Sequence, residues 1–147
     1  MIRGKELAQA ILDHVTKHPE KHHQGSWVSD PQLPWKEDPV VSHCGTVACL
    51  AGWAVLLNGT TNGTTSAYAM RDSVAVQLGL DASTATWENV ALKLLFPDYD
   101  PRNWTVDGYG TDSPVYMVSS AFYITGSEGE AIERFADAFD LEVPTHE

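Results

Sequence analysis

An unbroken apolar segment in the middle of the chain, residues 47–57, constrains the fold more than any other feature of the sequence. It follows Cys44-Gly45-Thr46, in which Gly45 permits a tight turn and Thr46 is a good N-cap residue. A helix that is apolar on all sides is a buried one. We therefore predict a central helix over 47–57, in which Gly52 allows a neighbouring helix to approach closely.

Apolar residues at helical spacing predict further helices around this centre. They fall at about 4–17, 66–78, 86–96 and 127–139. Segment 115–124 is ambiguous, because its aromatic and β-branched residues suit a strand, whereas Ser113-Pro114 suits a helix start. The sequence thus predicts a mainly α, compact bundle of five or six helices forming a single domain over 1–147. A short β element near 115–124 is the alternative.

The sequence also indicates where the third helix stops and where the last helix begins. Gly79 fits the position just after the third helix, where a left-handed backbone is common. Ser127 and Glu130 have the spacing of a capping box at the start of the last helix.

Long irregular stretches are expected at about 20–42 and 97–112, and both contain proline and aromatic residues. Loops of this length in a small domain are usually functional or mobile. Exposed tryptophan and tyrosine provide large contact areas, so Trp35, Trp104 and Tyr109 are the predicted binding residues. The competing hypothesis is that these aromatic side chains only fasten the loops to the core.

The charge of the chain argues against several classes of partner. Twenty acidic and nine basic residues among 147 give a net charge of −11, which disfavours nucleic acid and anionic membranes and leaves a basic protein partner open. No apolar segment has the ~18 residues of a membrane span. No apolar segment of the signal-peptide kind follows Met1 either, so we expect a cytoplasmic protein.

Two kinds of chemistry are conceivable around the first cysteine. Cys44, beside His43 and before a helix, could be a nucleophile, although a cysteine is more often a small buried side chain, and core packing is the favoured interpretation. His22, His23, His43 and Cys44 could supply metal ligands, but their spacing fits no zinc finger or ribbon. Phosphate-binding, hydrolase and kinase motifs are missing from the sequence. We therefore expect no metal, no cofactor and, on balance, no catalysis.

The segments that carry a family resemblance are Ile11-Leu12-Asp13-His14, His18-Pro19-Glu20, Gln24-Gly25-Ser26-Trp27, Cys44-Gly45-Thr46-Val47-Ala48-Cys49-Leu50-Ala51-Gly52-Trp53-Ala54, Leu78-Gly79-Leu80 and the stretch 91–96. Over residues 7–96 the chain resembles small uncharacterised proteins of actinobacterial phages and their hosts, which share a Cys-Gly-Thr-x-x-Cys-x-Ala-Gly-Trp core. The resemblance implies no catalytic residue.

Resemblance and charge together favour a phage accessory protein that binds a host or phage protein. The alternatives are a small thiol-dependent enzyme using Cys44 with a histidine, and a structural metal-binding domain. The sequence does not decide whether the chain forms a homo-oligomer.

Overall fold

A computed structural model of the chain describes residues 1–22, 24, 28–29, 47–59, 66–81, 83–103, 113–124 and 127–145. These residues form a mainly α bundle of six helices with one pair of two-residue strands. In chain order the elements are α1 (Gly4–Lys17), β1 (Val28–Ser29), β2 (Val47–Ala48), α2 (Leu50–Leu56), α3 (Ala67–Gln77), α4 (Trp87–Leu95), α5 (Pro114–Phe122) and α6 (Glu128–Ala138). Short 3-10 turns lie at Pro19–Lys21 and Pro101–Asn103.

The central helix is α2, and all seven of its residues are buried, as its apolar sequence predicts. The predicted start is wrong, however, because the helix begins at Leu50. Residues 47 and 48 pair antiparallel with β1, and Ala48 also bridges to His22. Cys49, in extended conformation, is the N-cap in place of Thr46. Pairing on both sides of Ala48 holds the backbone extended until the helix can begin.

The other helices pack around α2 and α4 to form one apolar core. Helix α2 lies against α4, while α1 contacts both of them and α3 lies beside them. Helix α5 is paired with α6 and also touches α4. Trp53 and Trp87 are buried, and the indole N–H of Trp53 donates to the Lys21 carbonyl at 2.8 Å.

Polar caps define the starts of three helices. The side-chain oxygens of Ser66, Thr86 and Ser113 accept N–H groups in the first turns of α3, α4 and α5. The helical interpretation of 115–124 is thereby confirmed, and the strand alternative is wrong. The capping box predicted for α6 is not formed. Ser127 makes no cap hydrogen bond, and Glu130 instead lies 3.4 Å from Arg134, one turn along the helix.

The described parts of the two long loops are partly ordered by hydrogen bonds. The first holds a 3-10 turn and strand β1, so it is less irregular than predicted. In the second, Tyr99 is buried and its hydroxyl donates to Asn89 at 2.8 Å. None of the described helices has the length and apolar character required to cross a bilayer.

Two helices end in the same Schellman turn with different residues at the left-handed position. At the end of α3, Gly79 has φ +78°, and the N–H of Leu80 bonds to the Ala75 carbonyl at 3.0 Å. At the end of α6, Asp140 has φ +55°, and the N–H of Leu141 bonds to the Ala136 carbonyl at 2.9 Å. Since a side chain strains this conformation, glycine suits it better than aspartate.

We predict that Asp140→Gly raises the free energy of unfolding by about 0.5–1 kcal/mol, because it relieves this strain and removes an anion from a helix C-terminus. The matched change, Gly79→Ala, should lower it by about 1 kcal/mol. No atom lies within 4 Å of the added methyl group, so backbone strain is the cause. Urea unfolding measures both. Destabilisation by Asp140→Gly would contradict the assigned turn.

Candidate functional site

Most residues predicted as functional fall outside the described part of the chain, namely His23, Trp35, His43, Cys44, Trp104 and Tyr109. The catalytic, metal and binding hypotheses that rest on them stay predictions. Among these candidates the structure describes His22, which is buried.

A buried glutamine, Gln24, joins three helices through its amide groups. Its side-chain oxygen accepts the N–H of Leu50, the first residue of α2, at 3.0 Å. Its side-chain nitrogen donates to the carbonyls of Ala121 at 2.9 Å and Phe122 at 3.2 Å, in the last turn of α5. Its backbone N–H donates to Glu128 of α6 at 3.4 Å. The first loop, α2 and α5 therefore meet at the side chain of Gln24, and α6 meets its backbone.

The fourth bond of the Gln24 side chain comes from His22. The His22 Nε2 atom lies 2.7 Å from the Gln24 oxygen. Because an amide oxygen has no hydrogen to donate, this nitrogen carries the proton and donates it. A metal ligand needs a lone pair at the coordinating nitrogen, which Nε2 does not offer in this arrangement. In the described residues, no group of three or more histidine, cysteine, aspartate or glutamate side chains could hold a metal ion.

Of the two cysteines in the Cys-Gly-Thr-x-x-Cys motif, Cys49 lies in the described part of the chain. Its surroundings favour the protonated thiol over the thiolate. Its Sγ accepts the N–H of Gly52 at 3.5 Å, but the side chain is buried. Burial raises the pKa of the Cys49 thiol to about 11. A nucleophilic cysteine reacts as its thiolate, so at neutral pH Cys49 is a poor nucleophile. The thiol-enzyme hypothesis therefore depends on Cys44.

The carboxylate of Glu88 links α4 to α5. It accepts the hydroxyl of Ser119 at 2.6 Å and the hydroxyl of Tyr123 at 2.5 Å. Partial burial of the phenol and its bond to Glu88 raise the pKa of Tyr123 to about 12. The hydroxyl thus stays a donor at neutral pH, while 57% of the tyrosine is exposed. The effect is to hold an aromatic ring in a defined place on the surface.

A groove of about 400 Å³ lies between α5 and α6. Tyr116, which is 41% exposed, lies on the α5 side together with Ser120. From α6, Arg134 donates to the Ser120 hydroxyl at 2.9 Å and lies 3.4 Å from Glu130. The groove therefore combines an exposed aromatic ring with charged side chains, and Arg134 bridges its two helices.

This surface is not among the sites predicted from the sequence, although a pattern in the sequence indicates it. Tyr116, Ser120 and Tyr123 are spaced by four and three residues, which puts them on one face of a helix. Val118 and Phe122 lie on the opposite, buried side of α5. The ambiguity over strand or helix at 115–124 concealed that face. Gln24 lies in one of the segments that carry the family resemblance, but no pattern indicated its structural role, because that role depends on contacts about 100 residues away in the chain.

A second cluster lies where α1 meets α2. The His14 ring packs on Trp53 with 4.3 Å between ring centroids and on His18 with 5.3 Å. The Nε2 atom of His14 is buried without a hydrogen-bond partner in the described structure. Burial first, then the charges of His18 and Lys21, lower the pKa of His14, and Glu20 opposes this effect. The folded protein therefore favours the neutral imidazole.

We predict that Gln24→Leu lowers the free energy of unfolding by about 2–4 kcal/mol, because it leaves the Leu50 N–H and two α5 carbonyls without this partner in the interior. The matched control is Gln9→Leu, which removes an exposed hydrogen bond to Asp13 and should cost under about 0.5 kcal/mol. Chemical denaturation compares the two. Equal losses would show that Gln24 is not a structural link.

We also predict that stability falls in mild acid because of His14. In unfolded chains histidine titrates near pH 6.5, and the folded pKa is lower. The unfolded state therefore binds the proton first as the pH falls. Stability is full above about pH 6.5 and declines below it, by at most about 1.4 kcal/mol per pH unit. His14→Phe keeps a ring against Trp53 and should flatten the decline between pH 7 and 5, as measured by urea unfolding. An unchanged slope would exclude His14 as the cause.

Comparison with protein families, with curated proteins and with solved structures gives no match to this chain.

Proposed function

We propose that this chain acts by binding another protein, and that the contact includes the α5–α6 face, defined by Tyr116, Ser120, Tyr123 and the groove beside them. The observation that carries the proposal is the pair of exposed tyrosines, 41% and 57% accessible, on one side of a well-packed helix. Tyrosine provides a large contact area and loses little conformational entropy on binding. Neither ring is needed to fill the core.

The surroundings of the face support the same function. Tyr123 is tethered to Glu88, and Arg134 is held by Ser120 and Glu130. Side chains that are already restrained lose less freedom when a partner binds. The face is thus better prepared for binding than scattered surface aromatics would be.

The predicted binding residues Trp104 and Tyr109 precede this face in the chain. Their segment leads directly into Ser113, the N-cap of α5, and Tyr116 lies in the first turn of that helix. We propose that these aromatic residues and Trp35 also contact the partner. The resemblance to phage proteins would make the partner a phage or host protein.

The test begins with a partner isolated on the wild-type protein from a lysate of the cells that carry the gene. We expect Tyr116→Ala to weaken its binding about tenfold or more, as loss of a buried aromatic contact does. The control is Tyr68→Ala, which removes a tyrosine of similar exposure on α3 and should change the affinity less than about threefold. Calorimetry on folded variants measures both.

Equal affinities for wild type and Tyr116→Ala would exclude this face. The thiol-enzyme hypothesis makes a different prediction. If Cys44→Ser abolished the biological activity of a folded protein while Tyr116→Ala preserved it, the enzyme hypothesis would replace protein binding.

A further inference from the structure

The α5–α6 groove carries more negative charge than its own residues neutralise. Its α6 side presents Glu130, Glu133 and Asp137, which are three and four residues apart and so share one face of the helix. Arg134 is the basic residue of the groove, and it is already engaged with Ser120 and Glu130. Within the described structure, neither Glu133 nor Asp137 forms an ion pair.

We infer that the occupant of this groove is an arginine-bearing segment of a partner protein. The inference rests on the proposed function and names its partner chemistry. Glu133 and Asp137 are four residues apart on α6, where like charges repel. A cation placed between them relieves that repulsion. The exposed ring of Tyr116 on the opposite side offers a face on which a planar guanidinium can stack.

The chain itself contains an example of this recognition. On α3, the Arg71 guanidinium lies over the ring of Tyr68, 5.1 Å from its centroid, and over Trp87 at 5.5 Å. The same guanidinium is 3.1 Å from Asp72. Aromatic and carboxylate groups thus hold an arginine within this protein. The groove presents the same two kinds of group, without an arginine stacked on Tyr116 in the described structure.

Other occupants fit the groove less well. A second copy of the chain would bring another acidic groove or another part of a protein with net charge −11. Like charges across an interface oppose association. A divalent metal ion needs a cluster of ligands, and no such cluster of three or more occurs in the described residues. Lysine has the matching charge, but it lacks the planar guanidinium that stacks on an aromatic ring and donates two parallel hydrogen bonds to one carboxylate.

The experiment measures binding of two fluorescent peptides, one alternating arginine with glycine and the other lysine with glycine. The variant is Glu133→Gln with Asp137→Asn. The control is Glu6→Gln with Asp98→Asn, which makes the same change in charge at exposed positions of α1 and the loop after α4. Affinity is measured by fluorescence anisotropy at about 50 and about 300 mM NaCl. The higher salt concentration screens long-range attraction between charges and so distinguishes it from binding by direct contact.

We expect the arginine peptide to bind wild type at least about fivefold more tightly than the lysine peptide. The groove variant should bind the arginine peptide about tenfold more weakly than wild type does, and the control variant less than about twofold more weakly. Tyr116→Leu should remove the preference for arginine. Equal weakening by groove and control variants, or equal affinity for both peptides, would overturn the inference. So would a wild-type dimer in sedimentation that Tyr116→Leu dissociates.

The results also separate this inference from the proposed function. One outcome is that Tyr116→Ala weakens binding of the isolated partner, while the double variant Glu133→Gln with Asp137→Asn changes the binding of neither the partner nor the peptides. In that case the face binds protein, and the arginine assignment is wrong. If the peptides behave as expected and Tyr116→Ala leaves the isolated partner bound, the proposed function fails at this face.

Discussion

The described structure depends most on the four hydrogen bonds of the Gln24 side chain. Helix α2 has seven residues, about two turns, which is too short to be stable alone. Its first N–H groups are buried and need partners. The side-chain oxygen of Gln24 accepts the N–H of Leu50, and the sulfur of Cys49 accepts the N–H of Gly52. The central helix can therefore be fully apolar because polar groups outside it satisfy its first turn.

The same glutamine connects the core to the proposed binding face. It holds the carbonyls at the end of α5 and, through its backbone N–H, Glu128 at the start of α6. Arg134 and Ser120 join the two helices further along the groove. The α5–α6 pair is thus restrained at two points before any partner arrives, which reduces the entropy lost on binding.

The sequence predicts the elements of this fold better than its junctions. Apolar spacing is a local property, so α1, α3, α4 and α6 were predicted within a few residues. The start of α2 was predicted wrongly because Ala48 pairs with Val28 and His22, which are distant in the chain. The candidate face was missed because it depends on α5 being a helix. The role of Gln24 was missed because most of its partners lie in α2, α5 and α6, which are distant from it in the chain.

Native-state hydrogen exchange of the Leu50 amide tests the role of Gln24 most directly. If Gln24 joins the core as described, this N–H exchanges only when the whole protein unfolds, like the amide of Val55 within the same helix. Both rates should then show the same dependence on denaturant. Exchange of Leu50 by local opening, with little dependence on denaturant while Val55 stays protected, would contradict the structure's central link.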